Sequence, residues 1–300
     1  MPELGTVLGI RFVVALATLF GRRLAGAFLA VLATYYALAS GRVRRASRTF
    51  LRRAGADASL PSVVRHVRFF ARVALDRFFF LRGRFGPFAV ERVGHEHIMR
   101  LARDKRGALL LGSHLGSFEA MRAVAADYDV PLNVVADFAN AERVNGVLAQ
   151  LAPNHGVRLI ALDPTRADSA LAIRDCIQRG ELVAILGDRT VAVAPQAKAA
   201  SRNVTVDFLG APAELPLGPY LLAHVLDCPV YLVFCLFEEP NRYVLHCEPF
   251  ADSIRLARSD RAASAQEHAQ RYADRLAHYA RLAPYNWFNF YDFWLERTPE

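Results

Sequence analysis

Ala108-Leu-Leu-Leu-Gly-Ser-His114-Leu-Gly-Ser-Phe-Glu119 decides how the rest of the chain is read. Ala108–Leu111 is a short apolar run bounded by Gly107 and Gly112, the pattern of a strand buried on both faces. Ser117 has the chemistry of a helix N-cap, and Glu119 then falls in the first helical turn, where negative charge is favoured. Phe118, Met121, Ala125 and Tyr128 recur at helical spacing and give that helix a buried face. The stretch is thus strand, turn, helix, with His114 at a strand end, where α/β sheets place their ligands. Histidine is the side chain suited to take a proton near neutral pH, and a nearby carboxylate fixes its tautomer and stabilises its charged form. Gly112 and Gly116 let backbone approach a ligand closely. The competing explanation is a capped helix beside a core histidine, and placement at a strand end between two glycines weighs against it.

Outward from this stretch, strand and helix patterns alternate. Strands are expected at Ala108–Leu111, Asn133–Ala136, Val157–Ala161, Leu182–Leu186, Val204–Leu209, Val230–Phe237 and Tyr243–Cys247. Helices are expected at Ser117–Tyr128, Ala141–Leu151, Arg166–Gln178, Gly218–Val225 and Ala265–Leu282. The fold class implied is α/β, a mixed central sheet flanked by helices, with Asn241 in a hairpin turn. Composition divides the chain into an N-terminal membrane-associating helical region, residues 1–90, and an α/β domain, residues 91–300.

The N-terminal region carries two apolar runs, Val7–Phe20 and Leu24–Ala39, of 14 and 16 residues, separated by Arg22-Arg23. A spanning helix needs ~20 apolar residues, so the segment fits one imperfect anchor, a shallow hairpin or two helices in the interface. No Lys or Arg precedes the first run, which argues against a signal peptide. Arg42 to Arg53 holds six arginines and belongs on the cytoplasmic side. From Val63 to Phe88, arginines interleave with phenylalanines, a combination suited to the headgroup zone of an anionic bilayer.

With 300 residues, the chain is long enough for one large α/β domain with an appendage. Its hydrophobic content is 53% and its mean hydropathy +0.16, both high for a soluble protein. The net charge is +8, and all but two of the 37 basic residues are arginines. Such a chain favours an anionic partner, but no helix-turn-helix, zinc or RNA-recognition signature is present, so nucleic acid is not expected. The four cysteines form no C-x-x-C pair, and His95 and His97 have no third ligand nearby in sequence, so neither metal nor cofactor is expected.

Asp188-Arg189 follows the apolar strand Leu182–Leu186. An arginine at a strand end binds phosphate through its planar fork, and Asp188 is placed to hold that fork. Arg143 and Asn145 are weaker candidates for the same polar surface, while His155 and His224 read as structural histidines. The aromatic tail from Trp287 to Trp294 reads first as core packing.

The spacing His114-Leu-Gly-Ser-Phe-Glu119 resembles the H-x-x-x-x-E signature of the lysophospholipid acyltransferase superfamily, and more closely its lipid A biosynthesis (late) acyltransferase branch. Further segments match in the same order: Leu186-Gly-Asp-Arg-Thr190, Val204-Thr-Val-Asp-Phe-Leu-Gly-Ala-Pro-Ala213, Leu215-Pro-Leu-Gly-Pro-Tyr-Leu-Leu-Ala223 and Cys228-Pro-Val-Tyr-Leu-Val233. Where the branch more often carries Gln-Asp or Asp-x-x-Gly, this chain has Gly187-Asp188-Arg189. The tail Pro284-Tyr-Asn-Trp-Phe-Asn-Phe-Tyr-Asp-Phe-Trp294 resembles a subgroup linked to aryl-polyene and pigment lipid clusters, so the resemblance does not single out lipid A as the acceptor.

The resemblance implies acyl transfer from a thioester, on acyl-carrier protein or acyl-CoA, to a hydroxyl of a lipid acceptor at the cytoplasmic face of a bacterial inner membrane. His114 is then the general base and Glu119 the group that orients it. Backbone N–H groups around Gly116, Ser117 and Phe118 are placed to receive an oxyanion. Asp188, Arg189, Arg143 and Asn145 complete the expected substrate-binding set. No Ser or Cys sits in a nucleophile elbow, so a covalent acyl-enzyme is not expected. The alternatives are a thioesterase or esterase of the same fold, and a non-catalytic lipid-binding homologue.

Overall fold

The computed structural model describes residues 7–120, 130–136, 157–161, 167–189 and 203–295. Three helices come first: α1 (Val7–Ala39), α2 (Gly41–Arg53) and α3 (Leu60–Leu81). The α/β body begins with β1 (Ala89–Val93), α4 (His95–Arg103), β2 (Ala108–Gly112), β3 (Leu132–Ala136), β4 (Val157–Ala161), α5 (Ala167–Gln178) and β5 (Leu182–Leu186). It continues with β6 (Asn203–Asp207), β7 (Pro212–Pro216), α6 (Gly218–Leu226), β8 (Val230–Glu238), β9 (Arg242–Ala251) and α7 (Arg261–Leu282). A further helix starts at Phe118; its expected continuation to Tyr128, and the expected helix Ala141–Leu151, lie outside the described residues.

Seven strands form one mixed sheet in the order β1-β9-β8-β2-β5-β3-β4. Neighbours are parallel except the β8–β9 hairpin. All five residues of β2 are buried, because β2 lies between β5 and β8 and both its faces are covered. Its side chains alternate between two cores, as the pleat requires. Leu109 and Leu111 pack with Phe208, Tyr220, Tyr272 and Trp287, while Ala108 and Leu110 pack with Phe79, Phe80 and Tyr243. Ala17 and Phe69 belong to the second core too, so apolar packing runs across the compositional boundary near residue 90.

Four elements differ from the sequence expectation, β7 among them, which was not anticipated. β1 and α4 were not anticipated, and the expected strand Val204–Leu209 stops at Asp207. Leu209 and Gly210 adopt positive φ (54° and 77°), which turns the chain so that β7 pairs back on β6 in a small second sheet. The two prolines of β7 sit at its ends, where a missing N–H is tolerated on an edge strand.

The two apolar runs at the N-terminus are arms of one kinked helix, α1, broken at Gly21 (φ 76°, ψ 179°). Arg22, beside the kink, donates from Nε and Nη2 to the two carboxylate oxygens of Asp76 at 2.6 and 2.7 Å. Asp76 is fully buried in α3 and also accepts from Tyr243 Oη at 2.8 Å on β9. One carboxylate thus ties α1, α3 and the sheet together.

The C-terminal tail, Tyr285–Trp294, is a strap across the body, and the expectation that it packs into the core holds: Trp287, Phe293 and Trp294 all belong to the main core. The side chain of Asn286 imitates a strand by exchanging two hydrogen bonds with the backbone of Phe237, at 2.7 and 3.0 Å. His66 of α3 is fully buried between Ser47 and the strap. Because the Trp287 carbonyl only accepts, His66 Nε2 donates to it (2.9 Å) and Nδ1 accepts from Ser47 Oγ (2.9 Å).

Two predictions come from these buried polar groups. Arg22→Met leaves the buried Asp76 carboxylate without its ion-pair partner, hydrogen-bonded by Tyr243, so denaturant melts of detergent-solubilised protein should show a loss of about 3–5 kcal/mol. Adding Asp76→Leu should recover most of that loss. For His66, burial pushes the imidazole down to about 4, the neutral form being the one that folds. The associated stability is complete above the unfolded value of 6.5 and is lost as pH falls from there through 4. The full amplitude is about 3 kcal/mol, and His66→Gln should flatten this part of a stability–pH profile.

Candidate active site

The register of two parallel strands builds the site. Gly112 of β2 pairs with Leu186 of β5, so two residues further along each strand His114 faces Asp188. The Gly187 N–H extends the ladder to the Gly112 carbonyl at 2.9 Å. Tyr272 Oη of α7 donates to the same carbonyl at 2.8 Å and so fixes the strand end.

Asp188 is fully buried, while the His114 side chain remains 28% exposed. His114 Nδ1 lies 2.7 Å from Asp188 Oδ1, and the His114 backbone N–H donates to both carboxylate oxygens at 3.1 Å. Asn289 Nδ2, from the strap, donates to Asp188 Oδ2 at 3.2 Å. Burial alone would push the Asp188 carboxyl upward; the charge and hydrogen bonds of His114, with the charge of Arg189, bring it down to about 2. The carboxylate is ionised and accepts only, so Nδ1 carries a proton toward it, and in the neutral imidazole the lone pair lies on Nε2. That is the arrangement of a general base with an orienting acid behind it.

This changes three sequence expectations. The group on the imidazole is Asp188 rather than Glu119, which forms an ion pair with Arg77 Nε of α3 at 2.5 Å. Asp188 does not hold the fork of Arg189. Arg189 instead donates from Nε to Asn289 Oδ1 (2.5 Å) and from Nη2 to the Phe288 carbonyl (2.8 Å), and lies 6.0 Å from the Tyr291 ring centre. The N–H groups of Gly116 and Ser117 are also occupied: they donate to the carbonyls of Asn286 and Cys235, both at 2.8 Å. Of the three expected oxyanion donors, only the Phe118 N–H makes no hydrogen bond to another described residue.

Gly116 and Ser117 have plain structural roles. Gly116 takes φ +77°, and a Cβ there would lie 1.8 Å from the Cys235 carbonyl oxygen, so only glycine allows the loop to reach β8. Ser117 Oγ accepts from the Ala120 N–H at 3.1 Å, the helix cap the sequence indicated. His224 behaves as a structural histidine, its Nδ1 3.3 Å from both the Ile254 carbonyl and the Leu256 nitrogen. Arg143, Asn145 and His155 lie outside the described residues.

The sequence reading missed Asn289 and Asn286. The signal available was two asparagines inside a run of buried aromatics, where a polar amide needs partners. Asn286 fastens the strap to β8, and Asn289 joins Arg189 to Asp188 and hence to His114.

Comparison with known proteins identifies the family. Residues 83–296 match the model of the bacterial lipid A biosynthesis acyltransferases, a span that holds His114, Glu119, Asp188 and the strap. A comparison with curated proteins finds no match. The chain belongs to the bacterial lipid A biosynthesis acyltransferase family, whose chemistry is acyl transfer to a lipid acceptor.

Proposed function

We propose that the protein moves a fatty-acyl or polyene-acyl group from a carrier thioester to a hydroxyl of a lipid or glycolipid, with His114 Nε2 as general base. The observation that carries this reading is the 2.7 Å contact between His114 Nδ1 and a buried, ionised Asp188, which leaves Nε2 free to accept a proton. In the transfer, Nε2 takes the acceptor hydroxyl proton as its oxygen attacks the thioester carbonyl. The C–O bond forms, the C–S bond breaks, and the imidazolium returns its proton to the departing thiolate. Asp188 stabilises the imidazolium, and the Phe118 N–H is the remaining loop donor for the oxyanion. Glu119 acts at one remove, neutralising Arg77 at the start of the helix.

Arg189 and Asn289 are positioning residues in this scheme, because their hydrogen bonds run to the strap and to Asp188. Acyl-carrier protein is the proposed donor carrier, and the cytoplasmic face of the inner membrane the proposed location. Both rest on the family membership and on the apolar, arginine-rich N-terminus.

The test uses purified full-length enzyme, an acyl thioester on carrier protein and a lipid extract as acceptor, with product identified by mass spectrometry. His114→Ala should cost about 100- to 10,000-fold in rate with the fold intact. Asp188→Asn should be as severe, up to about 10,000-fold, because it permits the wrong tautomer. The two losses should not add, since both act on one proton transfer. Folded His114→Ala enzyme working near the wild-type rate would sink the mechanism. Release of free acid by wild type, with no acylated lipid under any acceptor, would identify a thioesterase instead.

Asn289→Leu should lower kcat about 10- to 100-fold, the value of a hydrogen bond to a charged group, while KM for the acceptor holds. A raised KM with unchanged kcat would instead make the Arg189–Asn289 pair a substrate contact.

A further inference from the structure

Helix α1 is built inside out. Small residues face the protein: Ala17, Ala25, Ala33 and Ala37 are each at most 6% exposed. Large apolar residues face away: Leu24, Phe28, Val31, Tyr35 and Leu38, spaced alternately by four and three positions, are 37–71% exposed. Leu19 and Phe20, just before the kink, are 75% and 58% exposed. A surface in water has the opposite order, so this face is made for an apolar surrounding. The Arg22–Asp76 bond pins the middle of α1 to α3, and buried alanines follow on the same side toward its end. The helix therefore presents its outer face lengthwise, as a helix lying in an interface does.

Beside this face, the seam between α1 and α3 opens into a crevice of about 430 Å³, bordered by Gly26 and Ala30 of α1, by Arg65, Arg68 and Arg72 of α3, and by Glu239. Arg65 is engaged: it pairs with Glu239 at 3.1 Å and lies over the Tyr285 ring. Arg68 makes no hydrogen bond or ion pair with another described residue, while Arg72 donates to the Pro240 carbonyl at 3.4 Å and its charge also acts on the buried Asp76 carboxylate. Arg68 thus has no carboxylate partner among the described residues, and Arg72 shares the Asp76 carboxylate, which Arg22 already holds in a direct ion pair.

We propose that this crevice is a headgroup site for an anionic glycerophospholipid, with Arg68 and Arg72 on the phosphate and the acyl chains running beside the outer face of α1. The proposal rests on the reading that the protein works at a membrane. A second copy packed on α1 is the rival occupant of the apolar face. It would bring the arginine rows of two copies together, whereas a bilayer rich in phosphate complements them.

The experiment compares binding of full-length protein to vesicles of phosphatidylcholine alone and of phosphatidylcholine mixed with phosphatidylglycerol. Wild type should prefer the anionic vesicles. Arg68→Gln with Arg72→Gln should lose about tenfold or more of that binding and none on phosphatidylcholine. Arg45→Gln with Arg52→Gln, an equal loss of charge on α2, should lose less. If the double variant does not fold, Arg68→Gln alone should lose about fivefold. Soluble glycerol phosphate should not compete; full competition would mean a free-phosphate site and overturn the proposal. Equal losses in the two double variants, or none at the crevice, would overturn it as well. Wild type that binds both vesicles equally removes the headgroup site alone. Wild type that binds neither removes the membrane reading with it.

Discussion

The parallel register between β2 and β5 is the constraint on which the site depends. It sets Gly112 against Leu186, and the residues just past both strand ends then bring an imidazole and a carboxylate to 2.7 Å. A one-residue slip would turn either side chain to the other face of the sheet. The surrounding structure guards that register. The strands are buried on both faces, Tyr272 secures the last carbonyl of β2, and Gly116 lets the loop after His114 close onto β8.

The strap is the second support. It lies against the loop carrying His114 through two backbone hydrogen bonds, from the Gly116 N–H to the Asn286 carbonyl and from the Phe288 N–H to the His114 carbonyl. Its aromatic residues fill the core while its two asparagines satisfy polar groups that burial would otherwise leave costly. The result is a chain of contacts from Tyr291 through Arg189, Asn289 and Asp188 to His114, and it couples the last residues of the described chain to the imidazole. His66, held neutral between Ser47 and the Trp287 carbonyl, ties the same strap to the N-terminal helices.

Those helices belong to the body as much as to any membrane. The Asp76 carboxylate, shared between Arg22 and Tyr243, joins α1, α3 and β9 in one buried cluster. The amphipathicity that matters in α1 is one of size rather than polarity. Among the described residues, the fully buried side chains of α1 are alanines, several larger apolar residues point outward, and arginines of α3 line the seam beside them.

Local signals in the chain determined much of this protein. The apolar run Ala108–Leu111 bounded by glycines has the pattern of a buried strand, Ser117 could be read as a cap, and the alternation of patterns made the α/β class legible. The apolar and arginine-rich character of residues 1–90 was equally plain, because composition survives without coordinates. What tertiary structure decided was partnership. Glu119 lies five residues from His114 and looked like its orienting acid, yet Asp188, distant in sequence, occupies that position because strand pairing and not chain proximity brings it there. Arg189 looked like a phosphate fork, and the strap, a hundred residues further on, takes two of its donor nitrogens. Periodicity and capping are set by neighbours along the chain, whereas the partner of a buried charge is set by which strand ends meet. That depends on the register of the whole sheet, which no single stretch of sequence contains.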